Sequence, residues 1–128
     1  MLIGGYRASN AAASEVLRAH GYEVEQCRTL SDASTKLEIR SPALVVVDTL
    51  VADGDPIAFV RKLRKKSAVP IIVCDRGVEQ LHGVEAFEAG ADDYVGGSCS
   101  CEELALRVHA ILGRSGSDQV VASKSIAQ

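Results

Sequence analysis

A doubly wound α/β domain, five parallel strands in the order 2-1-3-4-5 with five helices, is the fold this sequence predicts. Three observations lead there. Leu44–Val47 and Val69–Cys74 are short, largely apolar and rich in β-branched residues, the mark of strands covered on both faces. Strand-like and helical segments alternate strictly along the chain, separated by turn formers. Right-handed crossovers then leave few topologies, and this order fits a chain of 128 residues best.

Each element has its own signals. Met1-Leu2-Ile3 is a short apolar start, followed by Gly4-Gly5. Ser9 or Asn10 suits the cap of a first helix carrying Ala13, Val16, Leu17 and His20, with Gly21 at its end. Tyr22 to Cys27 alternates like a half-buried strand. Ser31 is the expected cap of a second helix that turns Ala33 and Leu37 inward and ends at Ser41-Pro42. The strand that follows ends on Asp48, and in open α/β sheets ligand chemistry gathers at the carboxyl ends of strands.

Val51 to Pro56 reads as a loop, with Asp55 as cap and Pro56 at the first position of a third helix. Ile57, Val60 and Leu63 face inward there. Arg61, Lys62, Arg64, Lys65 and Lys66 read as a solvated face with its cations near the helix C-terminus. After Val69–Cys74 a fourth helix is expected over 78–89, closed by Gly90, and a fifth strand over 91–95. Gly96 to Cys99 is a loop. Ser100 with Glu103 forms a capping box for the last helix, which buries Leu104, Val108 and Ile111 and stops near Gly113. Residues 1–114 therefore form one domain. The polar stretch 115–128 reads as a linker or disordered tail.

Composition excludes several classes. A net charge of −3 offers no general attraction to nucleic acid or anionic lipid, and with no Trp there is no aromatic platform for single strands. No apolar run is long enough to span a membrane and no secretory signal precedes the first strand, so a cytoplasmic protein is expected. Cys27, Cys74, Cys99 and Cys101 lack CxxC spacing and are expected as thiols. His20, His82 and His109 show no metal-ligand spacing to them. Gly4-Gly5 belongs to neither a dinucleotide fingerprint nor a P-loop, and no catalytic set is present. A non-enzyme without cofactor is the expectation.

Taken together, Asp48, then Ala52-Asp-Gly-Asp-Pro56, Val69-Pro-Ile-Ile-Val73 and Glu88-Ala-Gly-Ala-Asp-Asp-Tyr-Val95 resemble a response-regulator receiver domain, over residues 1 to about 114. The likeness is strongest to receivers that precede winged-helix DNA-binding domains. The resemblance implies phosphoryl transfer from a histidine kinase to Asp48. That chemistry needs a magnesium ion on carboxylates, a lysine on the phosphoryl oxygens, and a hydroxyl that reports the modification. This chain departs from the pattern at each support. Counted back from Gly21-Tyr22, the acid pair falls on Gly4 and Gly5. The Ser or Thr after the fourth strand is Asp75, and the Lys-Pro after the fifth is Gly97-Ser98. Asp48 and the switch aromatic Tyr94 remain.

The expectation is an atypical receiver, acting through dimerisation or partner binding and not through conventional magnesium-dependent phosphorylation. It would regulate transcription, touching DNA only through an attached effector domain, and would have no membrane partner. In the resembling subfamily, acids before the fifth strand and an arginine in the last helix pair across a two-fold interface. Asp92, Asp93 and Arg107 match, so a homodimer through the last two strand–helix units is expected; salt bridges within the chain are the other reading of these charges. Gly83 and Glu85 replace the subfamily's basic residues in the fourth helix. Two alternatives stand beside this: Asp48 as a working phosphoacceptor with Asp75 as substitute metal ligand, and a redox- or ligand-responsive module using Cys74, Cys99 and Cys101.

Overall fold

The computed structural model describes residues 1–4, 7–51, 53–75, 83–96 and 100–114. The expected tail lies outside them, as do Gly5, His82, Gly97, Ser98, Cys99 and the first part of the expected fourth helix. In chain order the elements are β1 (Leu2–Ile3), α1 (Arg7–Ala19), β2 (Gln26–Cys27), α2 (Leu30–Ile39), β3 (Val45–Asp48), α3 (Pro56–Lys66), β4 (Ile71–Asp75), α4 (Gly83–Ala89), β5 (Asp93–Gly96) and α5 (Cys101–Arg114). All strand pairings are parallel and the sheet order is β2-β1-β3-β4-β5.

The two central strands are buried along their whole length, as continuous apolar runs require. Successive residues point to opposite faces and so build two cores. Leu44, Val46, Ile72, Cys74 and Val95 pack with Ala13 and Leu17 of α1 and with Leu104, Ala105, Val108 and Leu112 of α5. Val45, Val47, Ile71 and Val73 pack on the opposite face, with α2, α3 and α4. Helices therefore cover both faces of the sheet, two on one side and three on the other.

Several local expectations need correction. α1 starts at Arg7, so Ser9 and Asn10 lie inside the helix and do not cap it. The cap of α2 is Thr29, whose hydroxyl accepts from the Asp32 N–H, two residues before the expected Ser31. The first two amides of the helix, those of Leu30 and Ser31, donate to Asp53 at 2.8 and 2.9 Å. Ile111 is only partly buried, and Ala105 and Leu112 take the inner positions of α5 beside Leu104 and Val108. β4 runs one residue past Cys74 to Asp75, and β5 begins at Asp93.

Other signals read as expected. Asp55 caps α3 by accepting from the Ile57 N–H, with Pro56 opening the helix. Ser100 Oγ accepts from the Glu103 N–H at 3.0 Å. Gly90 closes α4 with φ +115°, a left-handed conformation that favours glycine. A Cβ there would lie 2.7 Å from Arg64 Cγ. Arg64 makes that turn a structural joint: its guanidinium donates to the carbonyls of Gly90, Ser67 and Val69 and to Asp92.

Candidate functional site

Asp48 closes β3, and β1 and β4 bracket it. The pairing of Ile3 with Val47 carries the next residue, Gly4, to the side of Asp48, while Cys74 pairs with Asp48 on the other side. Gly4 brings no side chain to this edge. Asp48 is 3% exposed, and its Oδ1 accepts from the Leu50 N–H at 2.9 Å, which shapes the turn out of the strand. The Thr49 N–H donates to the Cys74 carbonyl at 2.9 Å and ties this turn to β4.

Asp75, at the end of β4, is fully buried. A buried carboxylate is costly unless donors replace its water. Two hydroxyls do so here, one just past the end of β3 and one on β5. Thr49 Oγ1 donates to Oδ1 at 3.2 Å, and Tyr94 Oη donates to Oδ2 at 2.5 Å. Thr49, directly after Asp48, was not singled out in the sequence; a hydroxyl residue next to the strand-end acid was the available signal. Asp75 and Tyr94 were identified, but that one holds the other was not visible in spacing alone.

Tyr94 is half-buried. Its ring lies 6.5 Å from that of Phe87 at a tilt of 55°, and a Cβ on Gly83 would reach 3.4 Å from its Cε2. The glycine opening α4 thus lets the ring lie close to the helix with its hydroxyl turned toward Asp75. Burial, then the hydrogen bond and negative charge of Asp75, push the phenol up to about 12. At neutral pH it is therefore a donor.

Magnesium bound by an acid set is implied by the family pattern. Asp48 and Asp75 are the carboxylates described at this edge, Asp75 is already engaged by two hydroxyls, and Gly4 supplies no oxygen ligand from its side chain. Among the described residues no three His, Cys, Asp or Glu side chains converge as a metal site. The residues present do not fit the family's magnesium site, and no step through a metal ion is derived.

The remaining site candidates separate in space. Asp92 Oδ2 accepts from Arg64 Nη2 at 2.7 Å and from the Ile71 N–H at 2.8 Å. Asp93 takes Arg107 Nη1 on both oxygens, at 3.1 and 3.0 Å, and Arg107 also bonds Glu103. Within one chain, then, these three charges have intramolecular partners. Cys74 is buried in the core shared by α1 and α5, and Cys101, half-buried, packs against the same core. Cys27 is buried, and burial pushes its thiol up to about 11, which keeps it protonated and unreactive. Asp53, not singled out in the sequence, ties the loop after β3 to the start of α2. Its carboxyl is held below the usual range by the Leu30 and Ser31 N–H groups.

A parallel 2-1-3-4-5 sheet with a buried aspartate at the end of its third strand defines a receiver-like domain. Residues 6–109 match the family model for the response regulator receiver domain, and the chain belongs to that family. It is 37% identical over 98 residues to the KDP operon transcriptional regulatory protein KdpE of Escherichia coli K12, covering 77% of this chain and 44% of that protein. The receiver domain of the TMAO respiratory system response regulator TorR superposes with a TM-score of 0.81 at 25% identity, over 88% of this chain and 95% of that one. An orphan response regulator of H. pylori, HP1043, superposes with a TM-score of 0.77 at 26% identity, over 87% and 93%. The chain spans under half the length of the curated relatives it matches. No described helix is long and apolar enough to cross a membrane.

Proposed function

We propose that this receiver domain is atypical, and that its output does not run through magnesium-dependent phosphorylation of Asp48. The observation that carries this reading is the hydrogen bond from Tyr94 to Asp75. In the family pattern a hydroxyl at the end of the fourth strand reports an anion that arrives on the third. In this chain the fourth strand ends in an anion of its own, and the aromatic residue already donates to it. A phosphoryl group on Asp48 would enter beside that carboxylate, where like charges repel. Gly4, Gly5 and Gly97 add neither cation nor metal ligand.

The module works by assembly in the cytoplasm. The α4–β5–α5 side exposes Val84, Phe87 and Leu106 at 71, 52 and 63%, apolar area that a second copy would cover. Asp92, Asp93 and Arg107 border it, either keeping their internal partners or exchanging them across the two-fold axis. Transcription is the regulated process, with DNA reached through an effector domain after residue 128, by analogy with the named relatives.

Beryllofluoride with magnesium, titrated into the labelled protein and followed by NMR, tests the reading. Amide shifts near Asp48, Thr49 and Tyr94 stay within the range of the magnesium-only control. Large shifts at millimolar magnesium would overturn the proposal. They would favour the second reading, in which a histidine kinase phosphorylates Asp48 and Asp75 serves as metal ligand. The placement of Asp48 at its strand end beside β4 supports that alternative. It predicts a mass gain from a small phosphodonor that is lost in Asp48→Asn.

A further inference from the structure

At the end of the sheet opposite Asp48, a cleft of about 270 Å³ opens between α2 and α3. Its floor is apolar: Leu37 from α2, Phe59 and Leu63 from α3, and Pro42 and Val69 from the segments entering β3 and β4. Its rim carries Arg40, Lys62 and Lys66 against a single carboxylate, Glu38. The chain as a whole is net negative, so this local excess of positive charge runs against the average.

The helix register explains how the two characters meet. Phe59, Lys62, Leu63 and Lys66 stand at i, i+3, i+4 and i+7, one face of α3. The sequence reads these lysines as part of a solvated face serving the helix C-terminus. Lys66 fits that reading, in the last turn. Lys62 sits a turn earlier, four residues from a like charge, where the two ammonium groups repel. Neither lysine has an ion pair or hydrogen bond among the described residues, and Glu38 lies within salt-bridge reach of neither. Two unpaired cations over an apolar floor are complementary to an anion with an apolar body. The apolar floor of the cleft accommodates a short hydrocarbon chain or one ring.

We propose that the α2–α3 cleft binds a small amphiphilic anion, of the class of medium-chain or single-ring carboxylic acids. The carboxylate lies between Lys62 and Lys66, and the hydrocarbon lies on Leu37, Phe59 and Leu63. This site stands independently of whether Asp48 is phosphorylated, since it shares no residue with that edge of the sheet.

Octanoate and 1-octanol, titrated separately into the labelled full chain and followed by NMR, test it. Octanoate shifts amides in 37–42 and 59–69, and 1-octanol, lacking the charge, binds at least about tenfold more weakly. The Lys62→Gln, Lys66→Gln double variant loses about tenfold in octanoate affinity and keeps its weak affinity for 1-octanol. Both lysines are exposed, and an unchanged thermal midpoint confirms that the variant folds. Equal binding of the two probes, octanoate binding undiminished in the double variant, or binding to phosphatidylglycerol vesicles but not to octanoate would each overturn the proposal.

Discussion

Asp75 replaces a neutral hydroxyl of the family pattern with a charge, and at the scale of single residues most of the chemistry of this edge follows. A fully buried carboxylate must collect donors, and Thr49, just past the end of β3, and Tyr94 on β5 each provide one. Removing it in Asp75→Ala leaves the Tyr94 hydroxyl without its anionic acceptor. The phenol then titrates below its wild-type value of about 12, by the part of the rise that Asp75 supplies, while burial still holds it above its ordinary range; phenolate absorbance measured against Tyr94→Phe identifies the step. A wild-type Tyr94 that already titrates near 10 would show that the hydrogen bond does not form in solution. The sign of the pH effect follows. The folded phenol holds its proton more tightly than the unfolded one, so its contribution is complete below pH 10 and is lost as pH rises toward about 12. Alkaline denaturation of Tyr94→Phe is correspondingly shallower in that window.

Elements are held by caps and joints more than by propensity. Gly90 combines a positive φ with a close approach to Arg64, so Gly90→Ala both strains the backbone and displaces the guanidinium from its three carbonyls and Asp92. A loss of about 2 kcal/mol is expected, read from chemical denaturation. Asp55→Ala removes the cap of α3 at about 1 kcal/mol. An equal effect of Asp55→Asn would assign that loss to charge and not to the cap, since Asn caps as well as Asp. Asp55-Pro56, Ser100 and Gly90 were legible in the sequence because each acts on its own neighbours. At the start of α2 the cap, Thr29, is as local as the expected Ser31 and of the same hydroxyl type two positions earlier; what spacing does not show is that the Leu30 and Ser31 amides go to Asp53, more than twenty residues away in the chain. Local patterns carry caps; they do not carry a cap borrowed from another element.

For the whole molecule, the two buried runs and the strict alternation sufficed to fix the parallel sheet and its order. The positions of Asp48, Asp75 and Tyr94 came from the resemblance, and the fold brings the three to one edge of the sheet. What spacing could not supply was partnership: Arg107 is as well placed in sequence to meet another chain as to meet Asp93 of its own. The exposed Phe87 and Leu106 decide where assembly is tested. Phe87→Glu with Leu106→Glu puts charge into the apolar patch, and on the proposed reading it keeps the chain monomeric at concentrations where the wild type dimerises in sedimentation velocity. A wild type that stays monomeric, or a double variant that dimerises equally, would remove α4–α5 as the assembly face.

The hydrogen bond between Tyr94 and Asp75 has a consequence in time as well as in space. A phosphoryl group has a lifetime; it is added, hydrolysed and renewed, and a receiver that depends on one measures its signal against that clock. An aspartate built into the backbone of β4 does not decay. On the proposed reading, this chain has no phosphoryl lifetime after which it resets itself, and its output follows what it is assembled with.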